Sequence, residues 1–138
     1  MSDENQEYIV VAEDSPPNRN ILVHLLKKLG YQVIEGEDGE AAYNAMMDNK
    51  DSNIVAVLSD IMMPNLNGIE FLKKVRETEG FEEMPFVLIT AVADKEYIIE
   101  AKSLNVNGYI LKPVTFDRVS GKLKELFPNK TFPTLKPS

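Results

Sequence analysis

Five short apolar runs, each followed by a stretch of helical periodicity, restrict this 138-residue chain to an architecture of repeated βα units. The first run, YIVVA at residues 8–12, ends abruptly in Glu13 and Asp14. Ser15-Pro16-Pro17 then supplies an N-cap and a proline for the first helical position. Ile21, Leu22, Leu25, Leu26 and Leu29 form the predicted apolar face of that helix, and Gly30 stops it. A second strand is predicted over 31–35, with Asp38 capping a helix that runs to about Met47 and turns Ala41, Ala42, Ala45 and Met46 inward. Residues 54–58 (IVAVL) are the most continuously apolar run, the pattern of a strand covered on both faces at the centre of a parallel sheet. Ile69, Phe71, Leu72 and Val75 mark a third helix. A fourth strand at 85–90 precedes a less periodic helix at 95–104, and GYIL at 108–111 is the fifth strand. Thr115 caps a last helix with Phe116, Val119, Leu123, Leu126 and Phe127 on its inner face.

Five such units predict an α/β fold, a parallel sheet with right-handed crossovers and helices on both faces, and the arrangement expected for it is the flavodoxin-like doubly wound one of order 2-1-3-4-5. One domain over residues 8–127 is expected, with tails at 1–7 and 128–138, the second mobile or loosely docked. The formal charge of -7 argues against direct nucleic-acid binding, because phosphates are repelled. No cysteine is present, which removes disulfides, thiolate metal sites and cysteine nucleophiles. The polar start MSDENQEY is unlike a signal peptide, and no run is long enough for membrane insertion, so a cytoplasmic domain is expected.

Ligands of a doubly wound sheet bind at the carboxyl ends of the strands beside the switch point, here between strands 1 and 3. Glu13 and Asp14 follow strand 1, and Asp60 ends strand 3 in the segment LSDIMMPNLNG. Three carboxylates in one crevice repel unless a cation is shared, and hard oxygen donors suit Mg²⁺, for which Mn²⁺ can substitute. Thr90 and Lys112 end strands 4 and 5 at the same edge. An ammonium and a hydroxyl facing a carboxylate–metal centre suit a tetrahedral phosphoryl group, with aspartate as its acceptor. Lys112-Pro113 is a candidate cis peptide. Gly68 is read as giving the turn backbone freedom, and Met46, Met47, Met62 and Met63 as packing residues.

VVAEDSPPN, LSDIMMPNLNG, LITA and GYILKP, in this order at successive strand ends, resemble the receiver domain of two-component response regulators, including the chemotaxis type. The resemblance implies that Asp60 is the phospho-acceptor. Asp14, Asp60 and the backbone carbonyl of Met62 would ligate the metal, with Glu13 acting through water. Lys112 and Thr90 would hold the phosphoryl oxygens, and Tyr109 would be the aromatic that turns inward as the threonine moves. It further implies a histidine kinase or histidine phosphotransfer protein as donor. A downstream protein would dock on the face of the fourth helix, fifth strand and fifth helix, and the chain would be a monomer or a phosphorylation-dependent dimer. The protein would catalyse its own aspartyl phosphorylation and dephosphorylation without being a conventional turnover enzyme. A stand-alone receiver is the first expectation, and a domain excised from a hybrid histidine kinase or a larger response regulator the second. His24, the only histidine, is assigned no role, because the phospho-donating histidine belongs to the partner in this family.

The positions two beyond the acceptor and two beyond the threonine, which tune dephosphorylation in the family, are the apolar Met62 and Val92. Neither orients an attacking water, so a long-lived aspartyl-phosphate is expected. Competing functions fit less well. A haloacid-dehalogenase-type phosphatase needs a second aspartate where Met62 stands, and a flavin carrier's phosphate would meet Glu13 and Asp14. A receiver fold used only for docking has no need of the full acid–threonine–lysine set.

Overall fold

The computed structural model describes residues 6–91 and 95–130. Its strands are β1 (Tyr8–Ala12), β2 (Gln32–Gly36), β3 (Ile54–Asp60), β4 (Phe86–Thr90) and β5 (Gly108–Leu111). They form one parallel sheet in the order β2-β1-β3-β4-β5, the predicted doubly wound topology. The helices are α1 (Pro16–Lys28), α2 (Gly39–Asp48), α3 (Gly68–Arg76), α4 (Lys95–Ser103) and α5 (Phe116–Leu126). Among the described residues no helix is long and apolar enough to cross a membrane.

Strand side chains alternate between faces, and this sorts the core into two layers. Val10, Ala12, Val57, Phe86 and Leu88 pack with residues of α2, α3 and α4. Ile9, Val11, Leu58, Val87 and Ile89 pack with residues of α1 and α5. Both faces of the central strands are therefore dry, which is why β3 and β4 read as almost unbroken apolar runs. Phe71 of α3 meets Phe86 of β4 edge to face, with ring centroids 5.3 Å apart.

The predicted helix boundaries follow from local chemistry. The Asp38 carboxylate accepts from the Ala41 N–H at 2.8 Å and starts α2. Gly30, at φ +101°, closes α1, with the Gly30 N–H on the Lys27 carbonyl and the Tyr31 N–H on the Leu26 carbonyl. The apolar stripe of α1 is narrower than its sequence suggests. Leu22, Leu26 and Leu29 are buried, but Leu25 is half-buried and Ile21 is 50% exposed. Ile21 lies one residue, about 100° of helix, from Leu22, and it turns to a cleft beside Lys112 and Pro113 instead of the core. His24 is exposed on the same helix. Beyond α5, Lys130 pairs with the Glu7 carboxylate and lies over the Tyr31 ring, 4.4 Å from its centroid.

Candidate functional site

The parallel register brings the ends of β1, β3, β4 and β5 to one edge of the sheet. Ala12 stands opposite Ser59, Asp60 opposite Ile89, and Thr90 opposite Leu111. Chain segments leaving these strands carry Glu13, Asp14, Asp60 and Lys112 into one crevice. One carboxylate oxygen from each of Glu13, Asp14 and Asp60 lies within 4.8 Å of the others. Glu13 and Asp60 are buried, whereas Asp14 is exposed at the mouth.

Each buried acid is held by named donors. The Ser15 N–H donates to Glu13 Oε2 at 3.0 Å, so the turn that caps α1 also orients the acid before it. The Ile61 N–H donates to Asp60 Oδ1 at 2.8 Å, and Lys112 Nζ donates to Asp60 Oδ2 at 2.9 Å. Lys112 therefore forms a charge-assisted pair with an almost fully buried carboxylate. Burial pushes the Glu13 carboxyl up to about 7. The charge of Asp60 and a hydrogen bond with it push the same way, and the Ser15 N–H and Lys112 offset them only in part. Two acids so placed favour either a bound proton or a cation.

The donor set fits a small divalent ion. Metal–oxygen distances of about 2.0–2.1 Å put neighbouring ligand oxygens about 3 Å apart and opposite ones about 4 Å apart in an octahedron, so carboxylate oxygens that now lie within 4.8 Å of one another would have to close in on the ion.

Other predicted site residues take varied places. Thr90 is buried at the end of β4, but its hydroxyl donates to the Ala91 carbonyl at 2.9 Å. Tyr109 is half-buried, and its hydroxyl donates to the Ile98 carbonyl of α4 at 3.2 Å. The Lys112-Pro113 peptide is cis. Val92 lies outside the described residues. Met46 is buried and Met47 and Met63 are half-buried, as packing residues should be, but Met62 is 53% exposed and packs little. It follows the end of β3 by two residues, in the irregular segment before α3.

The turn after Asp60 corrects another expectation. Gly68 does not use a positive φ; the left-handed residue of the turn is Asn65, at φ 65°. A Cβ on Gly68 would lie 2.2 Å from the Asp60 carbonyl oxygen, so glycine is required because α3 starts directly against the Asp60 backbone. Asn65 Nδ2 also donates to Asp38 at 2.7 Å, tying this turn to the start of α2. Burial alone would push the Asp38 carboxyl up, but the Ala41 N–H, the Asn65 amide and the Glu40 N–H together hold it below its ordinary value.

Sequence reasoning missed Arg19. Its Nη1 donates to the Glu13 carbonyl at 2.8 Å, and its Nε pairs with Glu35 at 3.3 Å. An arginine on a polar helix face carries no spacing signal for such a bond.

Comparisons with known proteins identify the family of the chain. A family model described as the response regulator receiver domain matches residues 9–124. The chain is similar to a chemotaxis protein CheY homolog of Campylobacter jejuni, at 34% identity over 119 residues that cover 86% of this chain and 90% of the relative. Among solved structures, the chemotaxis response regulator CheY4 of Vibrio cholerae superposes with a TM-score of 0.78 at 24% identity, covering 89% of this chain and 100% of that one. The receiver domain of sensor histidine kinase PA1611 from Pseudomonas aeruginosa carries a magnesium ion in its active-site cleft. It superposes with a TM-score of 0.73 at 25% identity, covering 87% of this chain and 96% of that one.

Proposed function

Because the chain belongs to the response regulator receiver family, we propose that it is a phosphorylation-dependent signalling switch whose acceptor is Asp60. The observation that carries this reading is the pairing of Lys112 with Asp60 at 2.9 Å, beside a cluster formed with Glu13 and Asp14. A structural carboxylate does not need two further acids at its side; a phosphoryl acceptor with a cation site does.

In the proposed reaction an Asp60 oxygen attacks the phosphorus of a phosphohistidine on a kinase or phosphotransfer protein. An O–P bond forms, the N–P bond breaks, and the histidine nitrogen leaves. A divalent cation held by Asp14, Asp60 and the Met62 carbonyl, with Glu13 through water, would supply positive charge to the phosphoryl oxygens when bound. Lys112 already lies on the acceptor and passes its hydrogen bonds to the incoming oxygens. The Thr90 hydroxyl exchanges the Ala91 carbonyl for a phosphoryl oxygen. Tyr109 gives up the Ile98 carbonyl as it turns inward, which loosens α4 from β5 and alters the face of α4, β5 and α5 for a downstream protein.

Incubation with acetyl phosphate and Mg²⁺, read by intact mass, tests the acceptor. Wild type gains one phosphoryl group and Asp60→Asn gains none; equal labelling of the two removes the assignment. The lifetime proposal concerns the apolar residues Met62 and Val92. Met62→Asn and Val92→Glu are expected to speed phosphate loss by admitting and orienting water, and unchanged decay in both would end that part of the reading.

A further inference from the structure

Lys112 sits where the sheet has ended, and its ammonium is carried by a flexible four-carbon stem whose side chain is 37% exposed. Its pairing with Asp60 therefore depends on where the backbone holds its Cα. One constraint is visible in the sheet: the Lys112 N–H donates to the Thr90 carbonyl at 2.9 Å. A second comes from α5. Nη1 of Arg118 donates to the Leu111 carbonyl at 3.0 Å and to the Pro113 carbonyl at 3.0 Å. These carbonyls belong to the residues immediately before and after Lys112.

The backbone that carries this guanidinium is itself anchored. Arg118 lies in the first turn of α5, and its own N–H donates to the Thr115 hydroxyl that caps the helix, at 3.2 Å. The next residues, Val119 and Ser120, are buried. A planar group on a fixed helix end thus bridges the two residues that flank the lysine, and Arg118 also lines the surface groove between β5 and α5 with Tyr109 and Lys122.

We propose that Arg118 is a positioning residue for Lys112: it clamps the backbone on both sides of the lysine and so holds the ammonium on Asp60. No phosphoryl group is needed for this clamp, although its consequence for phosphoryl transfer rests on the function proposed above. The arginine does not touch the reacting atoms. Its effect passes entirely through Lys112, and this separates it from a residue that merely supports the fold.

Two measurements on the full chain test the proposal. In metal-free protein, limited acetylation with acetic anhydride is read by peptide mass spectrometry, with exposed Lys28 as internal reference. Arg118→Ala is expected to raise the acetylation of Lys112 relative to Lys28 by about threefold, the scale of losing an ion pair at a solvent edge. Arg118→Lys, which keeps the charge and a single donor nitrogen, should restore part of the protection. An unchanged ratio in Arg118→Ala overturns the proposal, and if that variant does not fold, Arg118→Gln is read by the same two outcomes.

The second measurement is self-labelling by acetyl phosphate. Arg118→Ala should slow labelling by about five- to tenfold, less than the hundredfold that misplacing a group by an ångström can cause. In a Lys112→Ala background the same change should leave the rate where it is. Equal slowing in both backgrounds places the effect elsewhere and rejects the positioning role. If wild type takes up no phosphoryl group, the reading of Asp60 fails, and the acetylation ratio alone decides Arg118.

Discussion

Helices α3 and α4 each contain nine residues, yet they are held in very different ways. In α3, Gly68, Ile69, Phe71, Leu72 and Val75 are buried. Its start is closed by a reciprocal capping box between Asn67 and Glu70. In α4 only Ala101 is buried, and Ile99 is 73% exposed. A helix this short has little stability of its own, so packing decides how firmly each is held. The turn that follows Asp60 is built onto the firmly packed helix, through Gly68 against the Asp60 carbonyl. The helix that the proposed switch must move is the lightly packed one.

The far end of α4 is an exception. Arg76, at the end of α3, donates to the Met84 carbonyl at 2.7 Å, the Leu104 carbonyl at 3.0 Å and the Asn105 carbonyl at 2.9 Å. The C-terminal end of α4 is thus bolted to α3, while its middle is tied to β5 through the Tyr109 hydroxyl on the Ile98 carbonyl. Movement of α4 would then pivot about the bolted end.

The largest effect should come from the packed side. Phe71→Ala is expected to cost about 3–5 kcal/mol in urea unfolding, because it opens a cavity against Phe86. A loss below about 1 kcal/mol would mean that the two helices differ less than their burial indicates. The acidic crevice carries an electrostatic strain as well. The Glu13 carboxyl, ordinarily near 4.5, is raised to about 7 in the folded protein. The folded state therefore binds more protons between these values, and this contribution is full below about pH 4.5 and lost as pH rises through about 7. Metal-free protein should accordingly lose up to about 3 kcal/mol from this group between pH 5 and pH 8, and Glu13→Gln should flatten that part of the stability profile.

Arg76→Ala comes next. Withdrawing a charged donor from three carbonyls should cost about 2 kcal/mol, and hydrogen exchange should quicken in α4 and the loop before β5 more than at the start of α3. Uniform quickening would contradict the pivot. The smallest effect belongs to Ile99→Ala, expected to change stability by no more than about 0.5 kcal/mol. A larger loss would show that the exposed residue packs against something in solution.

Much of this protein was legible in its residues alone. The five βα units, the helix caps at Ser15, Asp38 and Thr115, and the strand-end positions of Glu13, Asp60, Thr90 and Lys112 all came from periodicity and turn chemistry. These are local properties, written every two to four residues, and crossover handedness turned them into a parallel sheet with helices on both faces. Tertiary structure decided what depends on approach and direction. Ile21 belongs to the rim of a cleft, although its spacing fits the core. Gly68 is needed for close contact, while Asn65 takes the positive φ. The hydroxyl of Thr90 rests on the Ala91 carbonyl. The arginine bonds to the carbonyls of Glu13, Met84, Leu111 and Pro113 were invisible for a common reason. A guanidinium can reach any carbonyl within a side chain's length, so which one it finds depends on the packing of distant segments and on no pattern in the sequence.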